Sequence, residues 1–165
     1  MDQIAHHLTT TVTDVSDAAA FHEVGERVVS GLAFLPEPSS SGDVLYLKPD
    51  YGDFMKWVVT THPELKLALP PHHPKLVLHS ADIWLPLMYI ARDTSMQVLL
   101  GLITNYLYDR MKGGLKSDRP IIAFSIVYED RMAQKTKRLD FKGAAEDLAK
   151  VMKKFDANNF FDGSL

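Results

Sequence analysis

A histidine, a serine and an aspartate lie close together in the tetrapeptide His79-Ser80-Ala81-Asp82. It follows the apolar run 76–78, which predicts a strand, and it precedes a predicted helix. Side chains at the carboxyl end of a strand share an open crevice with the next helix N-terminus in many α/β enzymes. There His79 would act as a base, Ser80 as a nucleophile or anion donor, and Asp82 as the orienting group. The pattern is a candidate catalytic site for a small hydrolase or transferase.

The same residues also have a structural interpretation. Serine and aspartate are preferred helix N-caps, so Ser80 or Asp82 can cap the predicted helix, and His79 can end a half-buried strand. Ser80 does not stand in a Gly-x-Ser-x-Gly motif, which exposes the nucleophile in many hydrolases. Because capping serines greatly outnumber catalytic ones, we favour the structural interpretation and keep the enzyme as the alternative.

His72 and His73, together with His62 or His79, could suggest a metal site, but their arrangement disfavours it. His72 and His73 are adjacent between prolines, and adjacent side chains on an extended chain point to opposite sides, whereas zinc needs convergent ligands. His22 and Glu26 share a helix face, but the second histidine of a zincin helix is missing. The chain also lacks a phosphate loop, a dinucleotide fingerprint and a calcium loop. We therefore predict neither a metal nor a cofactor.

Two other segments carry predicted binding residues. The strand predicted over 135–141 alternates charged and apolar side chains and contains Lys137 and Arg138. Its charges are typical of an edge strand, whose unpaired backbone groups can bind a partner. Phe160 and Phe161 are adjacent in the polar tail, and they either dock onto the domain or insert into a partner. These four side chains are the predicted binding residues.

Composition limits the classes of function. The 165 residues suffice for one domain, and the 46% apolar and 24% charged fractions are typical of globular proteins. A net charge of −3 disfavours nucleic acid as a partner. The absence of cysteine excludes thiolate chemistry and fits a reducing compartment. The N-terminus lacks a signal-peptide pattern, and the longest uncharged apolar run, 94–108, is shorter than the ~20 residues a bilayer needs. We therefore expect a cytoplasmic protein without a membrane span.

The first predicted element is a helix over 17–31. It is predicted because the apolar residues of this segment fall on one side of a helix. A linker rich in proline and serine follows at 36–42. One helix cannot form its own core. We therefore expect 1–42 to be an appendage, 43–156 to be an α+β domain, and 157–165 to be a tail.

Within the domain, predicted strands alternate with predicted helices. The strands cover 44–47, 65–69, 76–78, 121–128 and 135–141, and the helices cover 50–60, 82–92, 95–111 and a segment from Gly143. This order fits an α+β fold with a split β-α-β, ferredoxin-like sheet, extended by a C-terminal hairpin strand and a helix. A three-layer α/β sandwich is the alternative.

Three segments resemble small uncharacterised bacterial α/β proteins found near conflict or anti-phage operons. They are Asp82-Ile83-Trp84-Leu85-Pro86, then Asn105-Tyr106-Leu107-Tyr108-Asp109 with Gly113, and then Phe141-Lys142-Gly143. The resemblance covers about a third of the chain and supplies no catalytic residue. It implies an accessory or interaction role. We therefore expect a non-enzymatic interaction or regulatory module that binds another protein or its own copy, with the small enzyme as the alternative.

Overall fold

The computed structural model describes most of the chain between residues 9 and 148. The described ranges are 9–15, 19–28, 30–38, 41–70, 73–76, 82–91, 94–112, 120–130 and 135–148. The strands are β1 (Thr9–Asp14), β2 (Leu32–Leu35), β3 (Glu37–Pro38), β4 (Leu45–Tyr46), β5 (Leu67–Ala68), β6 (Ile83–Ile90), β7 (Ile121–Asp130) and β8 (Lys135–Ala144). The helices are α1 (Ala19–Arg27), α2 (Tyr51–Thr61) and α3 (Met96–Met111). None of these helices combines the length and the apolar character needed to cross a bilayer.

Six strands form one mixed sheet in the order β1-β8-β7-β6-β2-β5, and β3 pairs with β4 separately. The parallel pairs are β6 with β7 and β2 with β5, and the other pairs of the large sheet are antiparallel. The predicted mixture of helices and strands is confirmed. The split β-α-β arrangement is not confirmed, because β6 and β7, which flank α3 in the chain, are direct neighbours.

Helices cover both faces of this sheet. On what we call the first face, Ile122 and Ile126 of β7 pack with Phe54 of α2 and Leu99 of α3. On the second face, Val127 of β7 belongs to a smaller cluster with Leu87 and Tyr89 of β6, against which the apolar side of α1 packs. Since successive strand residues point to opposite faces, the helices form layers on both sides, as in the three-layer alternative.

The helix predicted over 82–92 is wrong, because this segment is the inner strand β6. Almost every side chain of β6 is buried, so the strand shows no alternation of polar and apolar residues. Pro86 lies where the register with β7 shifts, between Trp84 and Leu87. A proline has no N–H to donate and is tolerated in a sheet at such an irregularity.

The prediction that 1–42 forms an appendage is also wrong. β1 pairs with β8 along its whole length, and β2 lies between β6 and β5. Leu32 and Phe34 of β2 are fully buried in the main core. The predicted N-terminal helix is confirmed as α1, but it connects two strands of the sheet. Gly31 enters β2 with a φ of +78°, and a Cβ there would lie 1.8 Å from the carbonyl oxygen of Lys66, so only glycine fits.

The predicted edge position of the charged strand is wrong as well. That strand is β8, and it lies inside the sheet between β1 and β7. Gly143, predicted to open a helix, belongs to β8 instead, and a helical turn follows at 145–148 with Leu148 buried. The predicted helices α2 and α3 and the strand β7 are confirmed. The predicted tail 157–165 lies outside the described residues.

Candidate functional site

The predicted catalytic residues fall at the edge of a described segment. His79 and Ser80 lie outside the described residues. Asp82 lies immediately before β6, and its Oδ1 accepts a hydrogen bond from the backbone N–H of Ile121 at 3.1 Å. This bond connects the beginnings of β6 and β7, so the Asp82 carboxylate stabilises the pairing of these strands. Catalysis by the three residues together stays a prediction.

The predicted binding residues do not form one group. Phe160 and Phe161 lie outside the described residues. Lys137 and Arg138 are consecutive on β8, where Lys137 faces Tyr128 and Arg138 faces Val127 across the β7 pair. Consecutive strand residues point to opposite faces. Arg138 therefore lies on the second face of the sheet, and Lys137 lies on the first.

Arg138 lies in a cleft on the second face, beside the part that α1 covers. The cleft has a volume of about 220 Å³. Four elements supply its polar and aromatic walls: β3, the segment before α2, β6 and the β7–β8 hairpin. Its polar and aromatic lining side chains include Glu37, Lys48, Trp84, Ser125, Arg138, Asp140 and Lys142.

The guanidinium of Arg138 organises the floor of the cleft. Its Nε donates to Oδ1 of Asp140 at 2.9 Å, and its Nη2 donates to Oε1 of Glu37 and to Oγ of Ser125, both at 3.1 Å. The Ser125 hydroxyl in turn donates to Asp140. Glu37 is 101 residues from Arg138 in the chain. The network therefore holds β3 against the centre of the sheet.

The charges of this network stabilise each other. Burial alone would lower the pKa of Arg138, but the hydrogen bond and charge of Asp140, followed by those of Glu37, raise it above its usual value. The second oxygen of Glu37 also pairs with Nζ of Lys48 at 3.3 Å. Both carboxylates of the cleft therefore already have cationic partners.

Trp84 forms the aromatic wall, and two ammonium groups lie near its ring. The Nζ atoms of Lys48 and Lys142 are 5.5 and 5.8 Å from the ring centroid, within the range of cation–π attraction. Lys142 is exposed, and among the described residues no carboxylate pairs with its ammonium group. The backbone N–H of Trp84 donates a hydrogen bond to Oδ2 of the buried Asp50 at 2.7 Å. This bond holds the backbone of Trp84 in place beside the cleft.

The charge of the cleft favours the binding of an anion. Among the described residues, three cations and two carboxylates line the cleft, so their summed formal charge is positive. A nucleophilic serine needs an adjacent base. Ser125 donates to the Asp140 carboxylate, but that carboxylate is already ion-paired with Arg138, and no histidine is among the described lining residues. The described residues also contain no group of three or more His, Asp or Glu side chains that could hold a metal ion.

A second, wider cleft of about 460 Å³ lies between the end of α2 and the outer side of α3. Its ionisable pair is His62 and Glu64, whose Nδ1 and Oε1 atoms are 3.3 Å apart. The backbone hydrogen bond of Glu64 lowers its pKa, but its side chain is 73% exposed. Water screens such a pair. We therefore favour the first cleft as the candidate site.

Most residues of the favoured cleft were not identified from the sequence. One signal was present: Arg138, Asp140 and Lys142 recur at every second position, which places them on one face of a strand. Glu37, Lys48 and Trp84 gave no such signal, because only the fold brings them to β8. Comparisons of the chain with protein-family models, with curated proteins and with solved structures found no match.

Proposed function

We propose that the protein is a non-enzymatic interaction module whose cleft binds an acidic side chain of another protein. The observation that carries this proposal is the exposed ammonium group of Lys142, which lies beside the ring of Trp84 in a positively charged cleft and has no carboxylate partner among the described residues. A partner carboxylate placed there would pair with Lys142, and its methylene groups would contact the indole.

The size of the cleft favours a single side chain over a free metabolite. Sites for small molecules usually measure about 300–1,000 Å³, and this cleft of about 220 Å³ is smaller. A glutamate or aspartate side chain needs much less room than a nucleotide. Additional contacts around the cleft would come from the partner's neighbouring residues, which supply most of the area of a protein interface.

A regulatory role, and membership of a bacterial defence system as an accessory component, belong to the same proposal and rest on the sequence resemblance alone.

The aromatic tail with Phe160 and Phe161 is a further proposed contact with a partner. A chain ending at Asp156 tests this contact, because it should lose affinity for a partner that uses the two rings. Unchanged binding and unchanged mass in sedimentation would leave the tail without a role.

The alternative is a small hydrolase or transferase that uses His79, Ser80 and Asp82. Its distinguishing consequence is that Ser80→Ala or His79→Ala abolishes biological activity while the protein remains folded. The interaction proposal expects both variants to retain activity, because it assigns binding to Lys142 and Trp84 instead. A complete loss of activity in a folded variant would favour the enzyme.

The cleft can be tested directly by tryptophan fluorescence. The chain contains two tryptophans, Trp57 and Trp84, so Trp57→Phe leaves Trp84 as the only reporter. Titration with a poly-glutamate peptide should change its emission in a saturable way, and a poly-glutamine peptide should not. In the same background Lys142→Glu should weaken binding by about tenfold or more, since a like charge then faces the ligand.

A matched control keeps this result specific. Lys56 is exposed on α2, and α2 packs on the opposite face of the sheet. Lys56→Glu makes the same change of net charge as Lys142→Glu but should leave the affinity for poly-glutamate almost unchanged. Equal losses in both variants would mean a non-specific charge effect, and the absence of saturable binding would reject the cleft.

A further inference from the structure

The outer strand β1 leaves one row of backbone groups without a partner among the described residues. β1 is the first strand of the sheet order, and β8 is its only partner among the described strands. Its sequence is Thr-Thr-Thr-Val-Thr-Asp, in which five of six residues are β-branched and favour strands. Residues 11–14 are exposed, and Val12 is 42% exposed.

The hydrogen bond that follows β1 shows which of its groups point outwards. The N–H of Val15 donates to the carbonyl of Thr136 at 2.9 Å, and the register of β1 with β8 places these two residues opposite each other. In an antiparallel pair, directly opposed residues alternate between those that exchange hydrogen bonds and those that do not. The backbone groups of Thr11 and Thr13 therefore point towards β8, and those of Thr10, Val12 and Asp14 point away from it.

β1 lacks the devices that usually protect an edge strand. Such devices include proline, lysine, a bulge or a very short strand. The opposite edge, β5, has only two residues, and a proline follows shortly after it at Pro70. By contrast β1 has six residues without proline, glycine or lysine. Its single charge, Asp14, lies at its end and pairs with Lys135 at 3.2 Å.

We propose that β1 pairs antiparallel with β1 of a second copy of this chain, about a two-fold axis at Val12. Backbone hydrogen bonds between the two copies form only in registers that place outward-pointing residues of the two strands directly opposite each other. Centring on Val12 opposes Val12 to its copy and Thr10 to Asp14 of the other chain. This register forms about six hydrogen bonds, two for each opposed pair.

Charge and side-chain chemistry favour a second copy of this chain as the partner of β1. In this register each Asp14 faces a threonine, so two carboxylates are not opposed, and like charges directly opposite each other are destabilising. The exposed Val12 side chains contact each other across the axis, which is a favourable cross-strand pair. The assembly stops at two copies because β5 is too short to continue the sheet. A two-fold dimer is the commonest closed arrangement of identical chains.

Sedimentation of the full chain over a range of concentrations tests the proposal. We expect a reversible increase to twice the mass of one chain. Val12→Pro removes the outward N–H at the centre of the interface but no hydrogen bond to β8, so it should raise the dimer dissociation constant by at least tenfold. Val12→Thr retains that N–H and strand preference, so it should shift the constant much less.

A second variant covers the case in which Val12→Pro does not fold. Val12→Lys opposes two ammonium groups at the axis and should also give a monomer, with an unchanged circular dichroism spectrum. A monomer at every concentration of the unmodified chain would reject the proposal, as would a dimer that both variants leave intact. A monomer whose Val12 amide is protected from hydrogen exchange would also reject it, because another segment of the chain would then cover the edge.

Discussion

Asp50 shows how one buried carboxylate connects three elements. It is 7% exposed at the beginning of α2. Its Oδ2 accepts the backbone N–H of Trp84 at 2.7 Å, and its Oδ1 pairs with Nη1 of Arg110 from α3 at 2.8 Å. The backbone N–H of Asp50 returns a bond to the carbonyl of Trp84 at 3.2 Å. This residue therefore fixes the tryptophan that forms the wall of the cleft.

Replacing Asp50 tests this connection. Asp50→Ala removes the acceptor of the Trp84 N–H and one of the acceptors of the Arg110 guanidinium, and hydrogen bonds to charged groups contribute about 1.5–3 kcal/mol. We expect a loss of that size in the free energy of unfolding, measured by urea denaturation, towards the lower end because Arg110 is partly exposed. Asp50→Asn keeps one acceptor for Trp84 and should lose less. Equal losses in both variants would contradict a specific role for the backbone bond.

The raised pKa of Tyr106 predicts that the stability of the protein depends on pH. The Tyr106 hydroxyl accepts a hydrogen bond from Arg110 at 2.7 Å, and burial raises its pKa above 10.0. The folded protein thus keeps this proton at a pH where the unfolded chain loses it, and the stabilisation is complete below pH ~10 and is lost as the pH rises through the folded pKa. Urea denaturation between pH 8 and 11 should show this decline, and Tyr106→Phe should make it shallower. An identical decline in the variant would exclude Tyr106 as its source.

At the scale of elements, the core depends on α3 packing against β7. Leu99 of α3 is fully buried, and Phe124 of β7 is 4% exposed and stacks on Phe141 of β8 at 5.1 Å. Leu99→Ala and Phe124→Ala should each lower the free energy of unfolding by roughly 2–5 kcal/mol, the range for core truncations. Val98, the neighbour of Leu99, is 51% exposed. Val98→Ala is therefore a matched control and should cost less than about 1 kcal/mol.

The same scale shows which elements can be predicted from sequence. Ser95 is the N-cap of α3, and its Oγ accepts a hydrogen bond from the N–H of Val98 at 3.1 Å. A cap, a run without breakers and a terminal glycine pair are local signals, so α3 was identified correctly. β6 was not identified as a strand, because a buried inner strand does not alternate polar and apolar residues. In addition, a proline such as Pro86 is common in the first turn of a helix.

At the scale of the whole molecule, residues 1–42 are part of the sheet. Deleting them removes β1 and β2, including the buried Leu32 and Phe34. β6 and β8 would then each lose a neighbour, and the main core would be open to water. We expect the chain 43–165 to lack cooperative unfolding in urea and to have no near-ultraviolet circular dichroism signal. A cooperative transition with a native-like spectrum would restore the independent boundary at residue 42.

Sequence alone determined the features that depend on neighbours in the chain. The mixture of helices and strands, together with α1, α2, α3 and β7, follows from caps, breakers and apolar pattern. These signals work because a helix or strand buries one side of a short segment, and the period of that side is written in consecutive residues.

Only the tertiary structure decided the strand order and the cleft. The charges of β8 are typical of an edge strand, yet β1 pairs with it and makes it an inner strand. The charges of Arg138 and Asp140 are tolerated inside the sheet since Glu37 and Ser125 satisfy them there. Glu37 is 101 residues away from Arg138. No local pattern encodes such a pairing, because its energy depends on side chains that become neighbours only when the whole chain has folded.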